Sequence, residues 1–421
     1  MTIYDIYSLF LKYPAVTTDS RNCPYGAIFF ALKGKNFDGN MFAEQALQSG
    51  CAYAVVDDAS VLTDRRMVLV DNVLSALQQL AHIHRKTFTI PVIGITGTNG
   101  KTTTKELIAT VLSQKYRVLY THGNLNNHIG VPLTLLRLTD EHELAVIEMG
   151  ANHPGEIGEL ASIACPDFGL ITNVGYAHLE GFGSLEGVIK TKGALYDFLR
   201  ETNGTVFIHQ DNDHLTAIAD GLNQVSYFSG YVTKRHPFLS FEWQNERGVV
   251  YPVNTKLVGD YNLYNALAAI TVGVYFGVTA EKINEAIEKY EPTNNRSQFQ
   301  KTAFNELIID AYNANPSSMS AALENFAAMP YRPKAVILGG MHELGEKSVA
   351  LHDAVIKQVE ACKFEKVLLC GEQFSASGQQ YPCFLTVEQL NRYLEINPLQ
   401  GYHILIKGSR SVCLEKVLEQ L

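Results

Sequence analysis

Short apolar runs alternate along this chain with longer stretches whose apolar residues return every three or four positions, which predicts buried strands and amphipathic helices in turn. GAIFFAL from Gly26, the helical MFAEQALQSG and the strand-like AYAVVDD make one small α/β unit, residues 1–86. A second unit, residues 87–292, opens on the buried-strand run IPVIGITG and the amphipathic TTTKELIATVLSQKY. RVLYTH, LAVIEMG, FGLITNV and TVFIHQD follow as strands with helical patterns between them, so the sheet should be mainly parallel. FLSFEWQ and GVVYPV add a β-rich patch ahead of the helices NLYNALAAITVGVYFG and TAEKINEAIEKY. The Pro- and Asn-rich EPTNNR, Glu291 to Arg296, reads as a hinge or linker. Beyond it NELIIDA, SSMSAALENFAAM, KAVILGG, KSVALHDAVIKQVEAC, KVLLCG, YHILIKGS and SVCLEKVLEQL restart the alternation and give a third unit, residues 293–421.

The 421 residues suit two to four domains at roughly 100 to 200 residues each. A net charge of -9 without a basic block argues against a nucleic-acid surface. No apolar run is long enough to span a bilayer, and MTIYDIYSLFLKYP lacks a basic leader with a small-residue cleavage site, so a cytoplasmic protein is expected. The 7 cysteines are odd in number, scattered and never in a C-x-x-C pair, which fits reduced thiols better than a disulfide frame or a zinc site.

GITGTNGKTTT, Gly94 to Thr104, changes the picture from fold to chemistry. It is a variant of the phosphate loop G-x-x-x-x-G-K-[ST] in which Ile95 stands where the first glycine belongs. A strand enters and a helix leaves, so backbone N–H groups and the helix dipole converge on an anion. Gly97 and Gly100 supply the tight backbone, Thr98, Asn99 and Thr103 continue the cradle, Lys101 reaches the terminal phosphates and Thr102 can hold magnesium. The fold class is therefore α/β in three domains: a small N-terminal one, a central P-loop ATPase-like one and a C-terminal Rossmann-like one. Glu148 ends LAVIE at the carboxyl edge of a strand, where open α/β sheets place ligands, and can share that magnesium with Thr102. A charge at a solvated strand end is the plainer alternative.

TGTNGKTT resembles the ATP loop of the Mur ligases, cytosolic enzymes that add amino acids to the peptidoglycan precursor. GNLNNHIGVPLTLLRL (Gly123 to Leu138), VIEMGANHPGEI (Val146 to Ile157) and DAYNANPSSM (Asp310 to Met319) resemble the branch that adds a dipeptide, and TTDSR, AHLEGFGSL and KGSRS agree across nearly the whole chain. The resemblance implies that ATP drives D-alanyl-D-alanine onto the carboxyl end of a UDP-N-acetylmuramoyl tripeptide through an acyl phosphate, in a monomeric enzyme with two magnesium ions (Mg2+). Residues 1–86 would then bind the UDP-sugar, 87–292 the ATP, and 293–421 the incoming dipeptide while closing over the nucleotide.

Residue by residue, the resemblance points His178 toward a second magnesium, together with Lys192 as a carbamate formed from carbon dioxide. An ordinary solvated lysine is the alternative there. Asn124, Asn126 and Asn127 would lie by the tripeptide end or the γ-phosphate, although clustered asparagines are most often turn formers. Asn262 and Asn265 would lie near the base, with Tyr261 in a position where histidine is common. Arg296 and Asp310 would close over the γ-phosphate and ribose, with Ile309 and Gly340 standing where the family often has aspartates. Asn313, Asn315, Ser318 and Lys407 would meet substrate in the third domain. Ser20, Arg21, Phe37, Asp38 and Gly39 resemble the UDP-sugar site, Phe37 flanking uracil; a capped turn and a partly buried aromatic account for them equally well. The hinge predicts an open cleft without ligands, with Arg296 away from the loop. Other readings are a ligase adding a single amino acid, a folylpolyglutamate synthase, or a nucleotide-binding regulator that ligates nothing.

Overall fold

The computed structural model describes residues 1–177, 179–293, 295–375, 377–378 and 380–421. Among them the chain forms three successive α/β units, each built on its own sheet.

In the central unit Val92–Thr96 and Leu144–Glu148 are buried at every position because helices cover both faces of their sheet. The sheet order is Asn223–Ser226, Thr205–Ile208, Phe168–Ile171, Val92–Thr96, Leu144–Glu148 and Val118–Tyr120, all parallel. Register puts Ile95 beside Glu148 and Thr96 beside Ile171, so the loop after Thr96 emerges between two other strand ends. The helix Lys101–Leu112 leaves that loop and packs against Asn262–Tyr275. An antiparallel meander, Gly230–Lys234, Ser240–Gln244 and Val250–Asn254, closes this side, with Trp243 in the shared core.

The first unit holds a parallel sheet of Val16–Thr17, Ile28–Phe30, Tyr53–Val56 and Met67–Leu69. Its helix Val73–Lys86 packs on Ile3–Lys12 and also on Gly130–Leu135 and Glu156–Ala164 of the central unit, so one apolar core runs through both. Arg85 reinforces the junction: its buried guanidinium donates to Ala164 O at 3.1 Å and to Asp167 Oδ2 at 3.2 Å. In the third unit the order is Gln298–Lys301, Glu306–Asp310, His403–Lys407, Lys334–Gly339, Lys366–Cys370 and Cys383–Phe384, antiparallel only between the first two.

All the runs quoted above except the last became the elements they predicted, with some additions. Helices Ile3–Lys12, Val73–Lys86 and Val387–Ile396 and the edge strand Gln298–Lys301 join them. SVCLEKVLEQL forms only 3-10 turns, since Cys413 sits in the left-handed region at φ 57° and interrupts regular winding.

Candidate active site

A cleft of about 480 Å³ separates the central and third units, lined mainly by residues at or just beyond the carboxyl ends of strands from both sheets, with Asn262 and Asn265 from a helix and Arg296 from the hinge. From the central side come Thr98, Asn99, Gly100, Lys101, Thr102 and Thr103, then Asn124, Asn126 and Asn127, Glu148, Asn262 and Asn265; from the third come Arg296, Asp310, Asn313, Asn315, Ser318 and Lys407. The sequence-predicted residues of two units thus share one space.

The loop folds as it does because two glycines permit it. Gly97 at φ 145° and Gly100 at φ 79° adopt backbone that other residues avoid, and a side chain on Gly97 would lie 2.0 Å from Thr172 Oγ1. Asn99 N donates to Asn173 Oδ1 at 3.0 Å, and Thr172 Oγ1 donates to Asn99 O at 2.6 Å. Thr172 and Asn173 follow the strand Phe168–Ile171, so the strand-end rule could have found them, although no motif marked them.

Lys101 Nζ donates to Gly97 O at 2.7 Å and Thr98 O at 3.1 Å, an ammonium resting on the loop's own carbonyls. Burial pulls its pKa down to about 8; Glu148 opposes the shift and Arg296 adds to it. It is therefore a cation at neutral pH. In the free enzyme it loses that charge as pH rises through about 8, while bound phosphate would favour the charged form and move the loss upward. We expect kcat/KM for ATP to fall through about pH 8 and kcat to fall only at higher pH, because the first reports the free enzyme and the second the complex. A kcat/KM profile flat across that range would sink the assignment.

Glu148 is buried and its Oε1 is fully engaged, accepting from Thr102 Oγ1 at 3.1 Å and Asn126 Nδ2 at 2.7 Å. Its Oε2 is buried with no hydrogen-bond partner. A lone carboxylate oxygen beside a threonine hydroxyl fits a hard divalent cation that takes its remaining ligands from phosphates and water. The described residues contain no cluster of three or more His, Cys, Asp or Glu that would hold a metal without such help.

Lys192 lies on the helix Leu185–Glu201, whose N-cap is Ser184, and is 2% exposed. The solvated-lysine alternative is thereby corrected. Its Nζ reaches Ala151 O at 3.4 Å and sits 5.2 Å from the centre of the Phe182 ring. Burial first, then repulsion from Lys101, hold its pKa well below the lysine range, with Glu156 opposing. A neutral amine is the form that adds carbon dioxide. His178, the other candidate for a second metal, lies outside the described residues.

The asparagines divide. Asn126 is tied to Glu148, Asn127 Oδ1 accepts Gly130 N at 2.8 Å in a local turn, and Asn124 is exposed on the cleft wall. Asn262 Oδ1 accepts from Asn265 Nδ2 at 2.8 Å, and Asn265 Oδ1 accepts from Thr104 Oγ1 at 3.0 Å, locking the two helices beside the loop. In the third unit Asn315 caps the helix Pro316–Ala328 with Ser318 in a reciprocal capping box. Lys407 pairs with Asp310, and Asn313 is exposed at the rim. Arg296 lies flat on the Tyr312 ring, 3.7 Å from its centre, with Nε buried and without a hydrogen-bond partner. Tyr312 carried no signal except its place in DAYNANPSSM.

The expected open cleft is corrected as well. Asn315 Nδ2 donates to Asn99 Oδ1 at 2.8 Å, and Asn99 Nδ2 donates to Ser317 Oγ at 3.0 Å, so the loop and the third unit are already bonded. Side-chain amides both donate and accept, which lets them bridge the gap unaided. Glu180 N adds a bond to Glu343 O at 3.2 Å.

Ser20, Arg21, Phe37, Asp38 and Gly39 do not line this cleft. Arg21 is exposed and pairs with Asp19 at 2.9 Å; Phe37 is 58% exposed on a hairpin; Asp38 accepts from Asn40 N at 2.9 Å; Gly39 is buried. The capped-turn alternative covers Asp38.

Fold and cleft define a P-loop nucleotide-binding protein whose third α/β unit closes on the loop. Residues 12–90 match the Mur ligase family catalytic domain, 95–273 the Mur ligase middle domain, and 295–410 the Mur ligase glutamate ligase domain. The chain belongs to the Mur ligase family. It is 38% identical over 97% of its length, and 93% of the relative's, to the UDP-N-acetylmuramoyl-tripeptide–D-alanyl-D-alanine ligase of Escherichia coli. Among solved structures it is similar to MurF from Acinetobacter baumannii, with a TM-score of 0.87 and 30% identity, covering 97% of this chain and 93% of that one. It is also similar to the MurF ligase from Thermotoga maritima in complex with ADP, with a TM-score of 0.86 and 26% identity, covering 97% of each.

Proposed function

We infer that this chain joins D-alanyl-D-alanine to the carboxyl end of a UDP-N-acetylmuramoyl tripeptide using ATP, a step of peptidoglycan precursor synthesis. The observation that carries it is the bonded contact of Asn99 in the phosphate loop with Asn315 and Ser317 of the third unit, beside the buried Glu148. Together with near full-length likeness to ligases so named, this arrangement suits a phosphoryl transfer that must be shielded while two further substrates are aligned.

A carboxylate does not acylate an amine unaided, because its oxygen leaves poorly. The carboxylate oxygen attacks the γ-phosphorus, the bond to the β-bridging oxygen breaks and ADP departs; the amine then adds to the acyl phosphate carbonyl, loses a proton and expels phosphate. Thr98 N and Asn99 N are taken by Asn173, so the N–H groups from Gly100 to Thr103 at the helix start would face the β-phosphate, and Lys101 and Arg296 would bring positive charge to the transferring phosphoryl from opposite walls. Thr102 and Glu148 would hold magnesium, which neutralises phosphate charge when bound. Lys192, as a carbamate, would give a second cation two oxygens, and His178 is the other ligand proposed for it. Asn262 and Asn265 would border the base, and Asp310 with Arg296 would anchor the closed position.

The domain roles follow: 1–86 for the UDP-sugar through Ser20, Arg21, Phe37, Asp38 and Gly39; 87–292 for ATP and, through Asn124, Asn126 and Asn127, the tripeptide end; 293–421 for the dipeptide through Asn313 and the capped turn at Asn315 and Ser318. Lys407 acts through Asp310. No helix among the described residues is long and apolar enough to cross a membrane, and ATP is a cytoplasmic substrate, which supports a cytoplasmic enzyme. The test is phosphate release from ATP: we expect it only when the UDP-muramoyl tripeptide and the dipeptide are both present. Release independent of the pair, or none at all, would favour a regulator.

A further inference from the structure

Tyr261 precedes the helix Asn262–Tyr275 of the central unit, and Ser297 precedes the strand Gln298–Lys301 of the third. Their hydroxyl oxygens lie 2.8 Å apart, a hydrogen bond across the hinge. The hinge backbone is unusual. Asn295 at φ 55° and Ser297 at φ 47° both occupy the left-handed region although neither is glycine, and Arg296 stands between them. Such backbone persists only where its surroundings hold it.

Ser297 is held from two sides. Its N–H donates to Asp310 Oδ1 at 3.2 Å, and Asp310 is fixed in turn by the buried Lys407, both within the third unit. Its hydroxyl meets Tyr261, which belongs to the central unit. The first contact travels with the third unit if the cleft opens, whereas the second exists only while it is closed. Between them Arg296, stacked on Tyr312 with its Nε unpartnered, lines the cleft opposite Lys101.

We infer that Tyr261 is a positioning residue: through Ser297 its hydroxyl fixes the left-handed hinge that keeps Arg296 facing the phosphate loop. This rests on the ligase reading for its catalytic consequence and on geometry alone for the latch. Burial raises the phenol's pKa, so it stays protonated and able to donate at any working pH.

Tyr261→Phe removes one oxygen and keeps the ring. We expect kcat to fall about three- to tenfold, the worth of one such hydrogen bond, with KM for ATP nearly unchanged. Ser297→Ala should give a similar fall and the double variant no further loss, since both remove one bond. Amide exchange over the segment from Asn295 to Phe299 should quicken by a similar factor in each variant without ligands. Unchanged exchange, additive losses, or a raised KM for ATP at constant kcat would overturn the assignment, the last by showing a direct contact with nucleotide. Faster exchange with parental kcat would overturn it too, because the latch would then be structural only. The exchange arm needs no substrate, so a parent protein that formed no ligation product would count against the proposed function while exchange still judged the latch.

Discussion

Lys101→Ala is expected to lower the ligation rate by about 10²- to 10³-fold or more, the usual cost of removing a charge contact made to a transferring group. Among the described residues the side chain hydrogen-bonds only to Gly97 O and Thr98 O, at 2.7 and 3.1 Å, and it belongs to none of the apolar cores. The fold should therefore survive, with a melting temperature close to the parent's. Truncation leaves those two carbonyls beside the cleft, where water can reach them, so the stability cost is small. Arg296 is a second cation facing the same space and cannot compensate fully, because it approaches from the opposite wall. A folded variant turning over near the parental rate would remove the loop from the mechanism.

Lys192→Ala comes next, with an expected loss of about 10- to 100-fold, the range seen when support around a metal site is removed. The loss alone is ambiguous, because this side chain is 2% exposed and its removal leaves a hole. Lys192→Met, which refills the volume without an amine, separates packing from chemistry and should lose activity to a similar degree. The decisive observation is rescue. Formate or acetate diffusing into the space left by alanine would restore an anionic oxygen pair and part of the rate, whereas a primary amine would not. The depressed pKa of Lys192, caused first by burial, favours the neutral amine that carbon dioxide requires. Rescue by amines, or full activity of the alanine variant with carbon dioxide removed, would mean the residue acts as a cation or not at all.

The phosphate loop was legible because its neighbours are local: the apolar run Val92–Thr96, two glycines and the helix Lys101–Leu112 adjoin in sequence. Glu148 was legible for a related reason, as the sole charge closing an otherwise apolar strand. Asn99 meeting Asn315 was not, since these residues are 216 apart and an asparagine on a loop gives no sign of its partner. Lys105 was missed altogether. It is fully buried and donates to Thr121 O at 2.8 Å, yet on a helix a lysine normally reads as solvated. Asn315 and Ser318 both cap a helix and line the cleft, and Asn315 Nδ2 also reaches Asn99, a double use that the sequence does not separate. Short polar side chains serve both purposes, and only coordinates distinguish them. Closure was misjudged for the same reason that Asn99 was, because contacts between units leave no periodicity in either.

The central claim, amide formation through an acyl phosphate, is tested most directly by isotope transfer. A UDP-muramoyl tripeptide carrying heavy oxygen in its terminal carboxylate is incubated with ATP, magnesium and D-alanyl-D-alanine, and both the pentapeptide product and the released phosphate are weighed by mass spectrometry. The account predicts one labelled oxygen in each phosphate released and one kept in the new amide carbonyl. Product formed with unlabelled phosphate, or no product from any UDP-muramoyl tripeptide offered, would contradict it.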